Sequence, residues 1–360
     1  MRTYYMHPNR RQSGFTLIEL MVAITIGLLL LAGLSTLFTN NNAAQMEVER
    51  ANRQVENGRY AMQLMTADLR SAGYYAEFDP EKLAMPAALT DPCSTNIADV
   101  RTGIALPVQG YDNTTSITCL TDRKDNTDVI VVRHTQTCVV DAADCEPASA
   151  GGPFFQASLC NNSSELGSNL VTNYYQINAT NSGFTLHQRD CGVTANSGTP
   201  SNLRRLLTHI YYIANNSVGS DGIPTLKRAE IVSNGGTLSV QIVPLVEGIE
   251  NMQIEYGIAT SNMASPPVSS GVADKYTANV GQGCADTACI IANWSNVVSV
   301  KLNLLSRTLT PSLTYTDNKS YTLGLKADNQ PNVIAAANDK YKRHVFSALI
   351  GLPNVAGRKN

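Results

Sequence analysis

Between Phe15 and Phe38 the chain runs for 24 residues with a single charged side chain, Glu19. As a helix rising about 1.5 Å per residue, that run spans roughly 36 Å, enough to cross the hydrocarbon core of a bilayer. A carboxylate inside such a run costs about 2.5–3.5 kcal/mol on insertion scales, so it needs a partner or a task. Ahead of the run lie Arg2, Arg10 and Arg11 and no acid, which keeps the start cytoplasmic and sends everything past residue 40 across the membrane. Without the first fourteen residues the balance is 24 basic against 29 acidic, a net charge of −5. That mildly acidic body argues against nucleic acid as a partner, since phosphate binding needs a basic face.

Ordinary explanations of the segment each leave something over. A secretory signal peptide needs a small-residue cleavage site after its apolar stretch, and no clear A-x-A follows this one. A lipoprotein signal needs a cysteine just beyond the run, and the first is Cys93. A plain anchor fits the length but gives Gly14 and Glu19 no role. Ser13-Gly14 followed by Phe15-Thr16-Leu17-Ile18-Glu19 closely resembles the class III signal of type IV pilins and pseudopilins. The resemblance implies that prepilin peptidase cuts after Gly14 and N-methylates Phe15, and that the apolar run is kept. Glycine offers the enzyme a backbone with no side chain to exclude. Cleavage would leave a cationic amine at Phe15, on the same helical face as Glu19. Between neighbouring subunits, opposite charges about 4 Å apart attract by about 4 kcal/mol at an effective dielectric of 20. The plainer reading is that Glu19 only favours the positive end of its own helix.

Helical periodicity continues past the membrane. Val48, Ala51, Val55, Gly58, Met62, Met65, Leu69 and Ala72 recur at spacings of three and four, with charged residues between them. No proline falls between Pro8 and Pro80, so one helix is predicted from about Phe15 to Gly73. Beyond Pro80 the pattern turns to short β-type runs: Asp128–His134, Thr208–Ile213 and Val297–Leu305. In the last, Val298, Val300, Leu302 and Leu304 share one face, and Ser299, Lys301 and Asn303 the other. Asn234-Gly235-Gly236 reads as a hairpin turn. The connections 91–127, 141–170, 192–202 and 261–289 are long and polar.

Eight cysteines, Cys93, Cys119, Cys138, Cys145, Cys160, Cys191, Cys284 and Cys289, include no C-x-x-C pair. With a membrane segment ahead of them they are predicted to form disulfides in an oxidising compartment. Sequence proximity favours Cys284–Cys289 and Cys138–Cys145, and the other pairings stay open.

Further segments, LMTADLRSAGYY (64–75), IYYIAN (210–215), IPTLKRAEI (223–231), PLVEGIENMQIEYGI (244–258), VVSVKLNLLSRT (297–308) and YKRHVFSALIGLPN (341–354), look like the PilW family of type IV pilus minor pilins, itself similar to the GspJ pseudopilins. The implied fold is α+β and pilin-like: a long N-terminal helix, transmembrane in its first half, packed on an antiparallel β-sheet head with disulfide-stapled insertions. The implied organisation is a leader (1–14), a transmembrane half-helix (15–38), an amphipathic periplasmic half-helix (39–75) and a head (76–360). The implied role is a minor pilin in the inner membrane and then the pilus, which helps to initiate assembly at or near the tip. It would support adhesion, twitching motility or DNA uptake. Implied partners are prepilin peptidase, other minor pilins, the major pilin, the inner-membrane assembly platform and a tip adhesin. Family members that cap the extreme tip can lack the acid at Glu19's position, which places this subunit beneath another. The alternatives are a type II secretion pseudopilin and a membrane-tethered periplasmic adhesin or binding module.

Nothing in the sequence points to an enzyme, a cofactor or a metal. The histidines lack metal-site spacing, and Gly281-Gln282-Gly283 stops short of a dinucleotide fingerprint. Asp122, Asp125, Asn126 and Asp128 form an acidic loop that fails the EF-hand template and reads as a solvated turn. Trp294 is expected in the core. Arg204-Arg205 and Lys342-Arg343 are expected at strand edges or on solvated faces.

Overall fold

The computed structural model describes residues 14–80, 83–113, 115–166, 173–192, 197–259 and 271–358; the basic part of the leader, with Arg2, Arg10 and Arg11, lies outside them. The chain divides into two compact units, 1–52 and 53–360. Helix α1 (Leu17–Ser71) is continuous, as the absence of proline predicts. It ends where Gly73 adopts a left-handed φ of +76° and donates its N–H to the Arg133 carbonyl at 2.9 Å.

In the first unit the apolar residues from Phe15 to Phe38 are all exposed, so this surface has no partner within its own unit. In the second unit α1 buries Gln54, Gly58, Ala61, Met65 and Leu69. Of the predicted stripe, Gly58, Met65, Leu69 and Ala72 are buried, Ala51, Val55 and Met62 are half-buried and Val48 is 60% exposed, while Gln54 is buried in place of Val55. The reason is polar. Gln54 Nε2 donates to the Ser306 and Lys342 carbonyls at 2.9 and 3.0 Å, so its side chain is drawn inward.

Thirteen strands are described: β1 (Val108–Tyr111), β2 (Val129–Thr135), β3 (Phe154–Ala157), β4 (Tyr175–Asn178), β5 (Leu203–Ala214), β6 (Thr225–Asn234), β7 (Thr237–Glu247), β8 (Ile249–Ile258), β9 (Lys275–Thr277), β10 (Val297–Arg307), β11 (Tyr321–Leu325), β12 (Pro331–Ile334) and β13 (Arg343–Gly351). All described pairings between them are antiparallel. β5 organises the first sheet. It pairs with β2, with β3 through Leu203–Arg205, and with β6 through His209–Ala214. β6 and β7 form the predicted hairpin, with Gly235 and Gly236 both at positive φ. The second sheet runs β13-β10-β8-β9.

Both sheets contribute to one core with α1. Ala61, Met65 and Leu69 belong to a cluster with Ile130, Tyr211, Ile254, Val300 and Leu302, all essentially buried. Each large apolar side chain so buried contributes about 1.5–3 kcal/mol. Trp294 joins that core from the helix Thr287–Ser295, edge-on to Tyr256 at 4.7 Å.

Several polar expectations change. The far face of β10 is only partly solvated: Lys301 stays part-exposed, but Ser299 and Asn303 are buried, Asn303 beside Gly324 of β11, and Asn332 of β12 donates to Gln253 Oε1 at 2.8 Å. The two-stranded β11–β12 sheet covers this polar layer. Arg204 is buried and donates to the Thr137 carbonyl. Arg343 is buried among Glu250, Asp317 and Asp339. Connection 91–127 is not only loop, since it contains α2 (Ile97–Gly103) and β1. The acidic loop does not act as one solvated turn. Asp122 pairs with Asn216 and Lys227, Asp125 is exposed, and Asp128 is buried.

Candidate functional site

Thr16 and Glu19 build the start of α1. Glu19 Oε2 accepts from Thr16 N at 3.0 Å and from Thr16 Oγ1 at 2.9 Å, while Glu19 N donates to Thr16 Oγ1 at 3.3 Å. This reciprocal pair is a capping box. The motif T-x-x-E was legible at positions 16–19, yet the sequence reading weighed Glu19 only as a charge. Both bonds go to Oε2, which leaves Oε1 without a hydrogen bond to the described residues. The carboxylate is therefore oriented and still has an acceptor free.

Gly14 and Phe15 are described and exposed, and a Cβ at Gly14 would meet nothing within 4 Å. The fold of the described residues does not require glycine there. Gly27 and Gly33 are equally open and do not interrupt α1.

In the second unit the structure brings together residues that the sequence reading kept apart. Val132 is opposite His209 and His134 opposite Leu207, so the two histidines are diagonal neighbours on one face of β2–β5. Asp68 of α1 lies over them: His134 Nε2 is 2.8 Å from Oδ1, and His209 Nδ1 is 3.0 Å from Oδ2. Tyr211 donates to Oδ2 at 2.9 Å. Burial alone would raise the Asp68 pKa, but His209 and His134 hold the carboxyl well below the usual range. The three side chains have metal-ligating atoms within 4.8 Å of one another. Both carboxylate oxygens are nevertheless met by groups of the chain, so the arrangement fits an anchor of the helix on the first sheet. Alternation along β2 and β5 was the signal for this pairing; what it lacked was the register that joins the strands.

The cysteines form four disulfides: Cys93–Cys119, Cys138–Cys145, Cys160–Cys191 and Cys284–Cys289. Two of these are the pairs that proximity favours. Cys160 is buried, and Cys93 and Cys119 pack against a core cluster, so their bridges tie inter-strand segments to the body of the head.

Residues 210–354 match the family model described as Type IV Pilus-assembly protein W, and residues 9–35 match the prokaryotic N-terminal methylation motif. Neither a curated protein nor a solved structure matches the chain. The two family matches support a type IV pilus-associated minor pilin, processed by prepilin peptidase and assembled with other pilus components. The methylation motif and the apolar helix fit a single-pass inner-membrane protein with a periplasmic head, later found in the pilus.

Proposed function

We propose that this minor pilin takes part in initiating type IV pilus assembly and sits at or near the tip, beneath another subunit. The leader would end at Gly14, Phe15 would be N-methylated, and residues 15–38 would cross the membrane before entering the filament core. Residues 39–75 would carry the head, 76–360. The observation that carries this reading is the Thr16–Glu19 cap on an otherwise apolar, exposed helix. A cap alone needs no membrane, and a membrane span alone needs no acid. A carboxylate aimed by Thr16, with Oε1 unbonded among the described residues, suits capture of a neighbour's terminal amine during assembly. Such an ion pair sets axial register at the moment of incorporation, since a one-residue slip moves the charges about 1.5 Å apart along the axis.

The head would then meet other minor pilins, the major pilin, the assembly platform and a tip adhesin. Adhesion, twitching motility or DNA uptake would follow from the fibre rather than from chemistry in the head. The test is cross-linking in sheared fibres with Glu19→Ala. Normal processing with loss from the fibre is expected. Wild-type levels of the variant in fibres would overturn the assembly role. Gly14→Val is expected to leave an uncleaved precursor, and mass spectrometry that finds mature Phe15 in that variant would overturn the processing site.

A further inference from the structure

Among the described residues, one buried carboxylate of the head is left with an unmet oxygen. Asp128, at the entrance to β2, is 6% exposed. Its N–H donates to the Met252 carbonyl at 2.9 Å, and its Oδ2 accepts from Ile254 N at 2.8 Å, so it joins β2 to β8. Its Oδ1 has no hydrogen-bond donor among the described residues. The polar group within reach is the carboxyl of Asp112, which is itself an acceptor. The nearby cation Arg123 does not resolve the conflict, because its guanidinium donates to the carbonyls of Thr115, Asp112 and Thr127.

Two carboxylates in contact, one of them buried and lacking a donor, call for something positive between them. The surroundings decide what kind. A cleft of about 720 Å³ opens on the pair; Asn113, Asp125 and Asn126 line it together with Lys124, Lys326 and Arg343, the last of which is engaged by Glu250, Asp317 and Asp339. Asp112 lies at the exposed rim and Asp128 at the buried end, so an ion has both an entrance and a floor. Neither histidine nor cysteine lines the cleft, which disfavours soft or borderline metals and suits a hard cation. Irregular loop donors with room for water fit calcium better than magnesium, which demands near-ideal octahedral geometry.

We propose that Asp128 and Asp112 form a calcium site, with the Asn113 side-chain oxygen and water completing the shell. The ion takes up the free Oδ1 lone pairs and clamps the segment between β1 and β2. That segment is already tied by Cys93–Cys119, and Asp128 links it to the second sheet through Ile254. The sequence reading looked for calcium in the contiguous loop 122–128; the geometry instead pairs a residue of that loop with one sixteen positions from it. The inference is independent of the role in pilus assembly, and its test involves no fibre.

The experiment uses the full chain in detergent at pH 8, freed of metal with a chelator. Tyr256 is buried beside both carboxylates and can sensitise terbium luminescence. The expected result is sensitised terbium emission that millimolar calcium displaces, and a calcium-dependent rise in thermal midpoint that magnesium reproduces weakly or not at all. Asp128→Asn is expected to weaken terbium binding at least tenfold while folding normally. Its amide oxygen can still accept from Ile254 N, and its NH₂ can donate to Asp112. Asp122→Asn, an acid of the same loop engaged elsewhere, is expected to bind as wild type does. No calcium response in the wild type, with Asp128→Asn simply more stable than the parent, would show that a shared proton fills the gap and would overturn the proposal. Equal loss of binding in both variants would overturn it too, as non-specific attraction to surface acids.

Discussion

Substituting Gly58 by alanine reverses the usual expectation for a helix. In an exposed helix interior the change gains up to about 1 kcal/mol by restricting the unfolded chain. At Gly58 an added Cβ would lie 2.1 Å from Cε2 of Phe346 and 2.6 Å from Cδ2 and Cζ, where normal carbon contacts are about 3.5–4.0 Å. The ring must withdraw by more than an ångström. Phe346 lies half-buried on β13 opposite Leu304 and edge-on to His344 at 4.7 Å, so yielding means leaving that contact and turning the ring toward solvent. Overpacking of this kind costs about 1–3 kcal/mol, and disturbing the aromatic contact adds about 0.5–1.5 kcal/mol. The net expectation for Gly58→Ala is a loss of about 1–3 kcal/mol despite the better helix former. In a Phe346→Leu background the obstacle is smaller, and the same change is expected to be neutral or to gain up to about 1 kcal/mol. Urea unfolding of the full chain in detergent, followed by the fluorescence of Trp294, reads both backgrounds. Gly58→Ala stabilising the parent, or having the same effect in both backgrounds, would refute the claim that this glycine exists to seat the ring.

Other outcomes follow from the polar core. Asp68→Asn is expected to cost about 3–5 kcal/mol at pH 7, because it removes the charge and replaces one of the two acceptor oxygens shared by the histidines and Tyr211 with a donor. Since the folded pKa of Asp68 is lowered, its contribution is present above the unfolded value near 3.8 and is lost as pH falls below it. The variant's stability, measured by urea unfolding from pH 6 to pH 3, is therefore expected to fall less steeply than the wild type's. Arg343→Met is expected to cost about 3–5 kcal/mol by stranding Glu250, Asp317 and Asp339, whereas Arg205→Met, paired to exposed Glu146, is expected to cost no more than about 1 kcal/mol. Replacing both members of Cys160–Cys191 with serine removes a link across 31 positions and is expected to cost about 3.7 kcal/mol by chain entropy. For Cys284–Cys289, separated by 5, the figure is about 2 kcal/mol, and thermal unfolding of the two double variants tests the order.

What the sequence disclosed depended on how local the physics is. The span Phe15–Phe38, the uninterrupted helix and the Gly235-Gly236 hairpin are set by neighbouring residues, and periodicity or turn chemistry exposed them. β10 was half legible. Its apolar face, Val298 to Leu304, was read correctly, but nothing local says that β11–β12 will cover the other face and bury Asn303. Gln54 was invisible as a core residue for the same reason: its burial depends on carbonyls at positions 306 and 342. Asp68, His134 and His209 meet only through register. Asp112 and Asp128 meet only because β1 and β2 pair and carry their flanking residues together. Apolar patterning reports which side faces inward; it does not report which polar groups will find each other there.

The far end of α1 carries a consequence for biosynthesis. Its last carbonyls are met by Asn354, which donates to Arg70 O and Ala72 O, and by Arg358, which donates to Gly73 O at 2.9 Å. The Asn354 contact to Arg70 joins positions 284 apart, so the ribosome finishes the stem long before it makes the groups that close it. Until those residues are made, these carbonyls lack their side-chain donors. A chain broken off before Asn354 would lack both of these donors, so the stem's end and the C-terminal segment close as one unit.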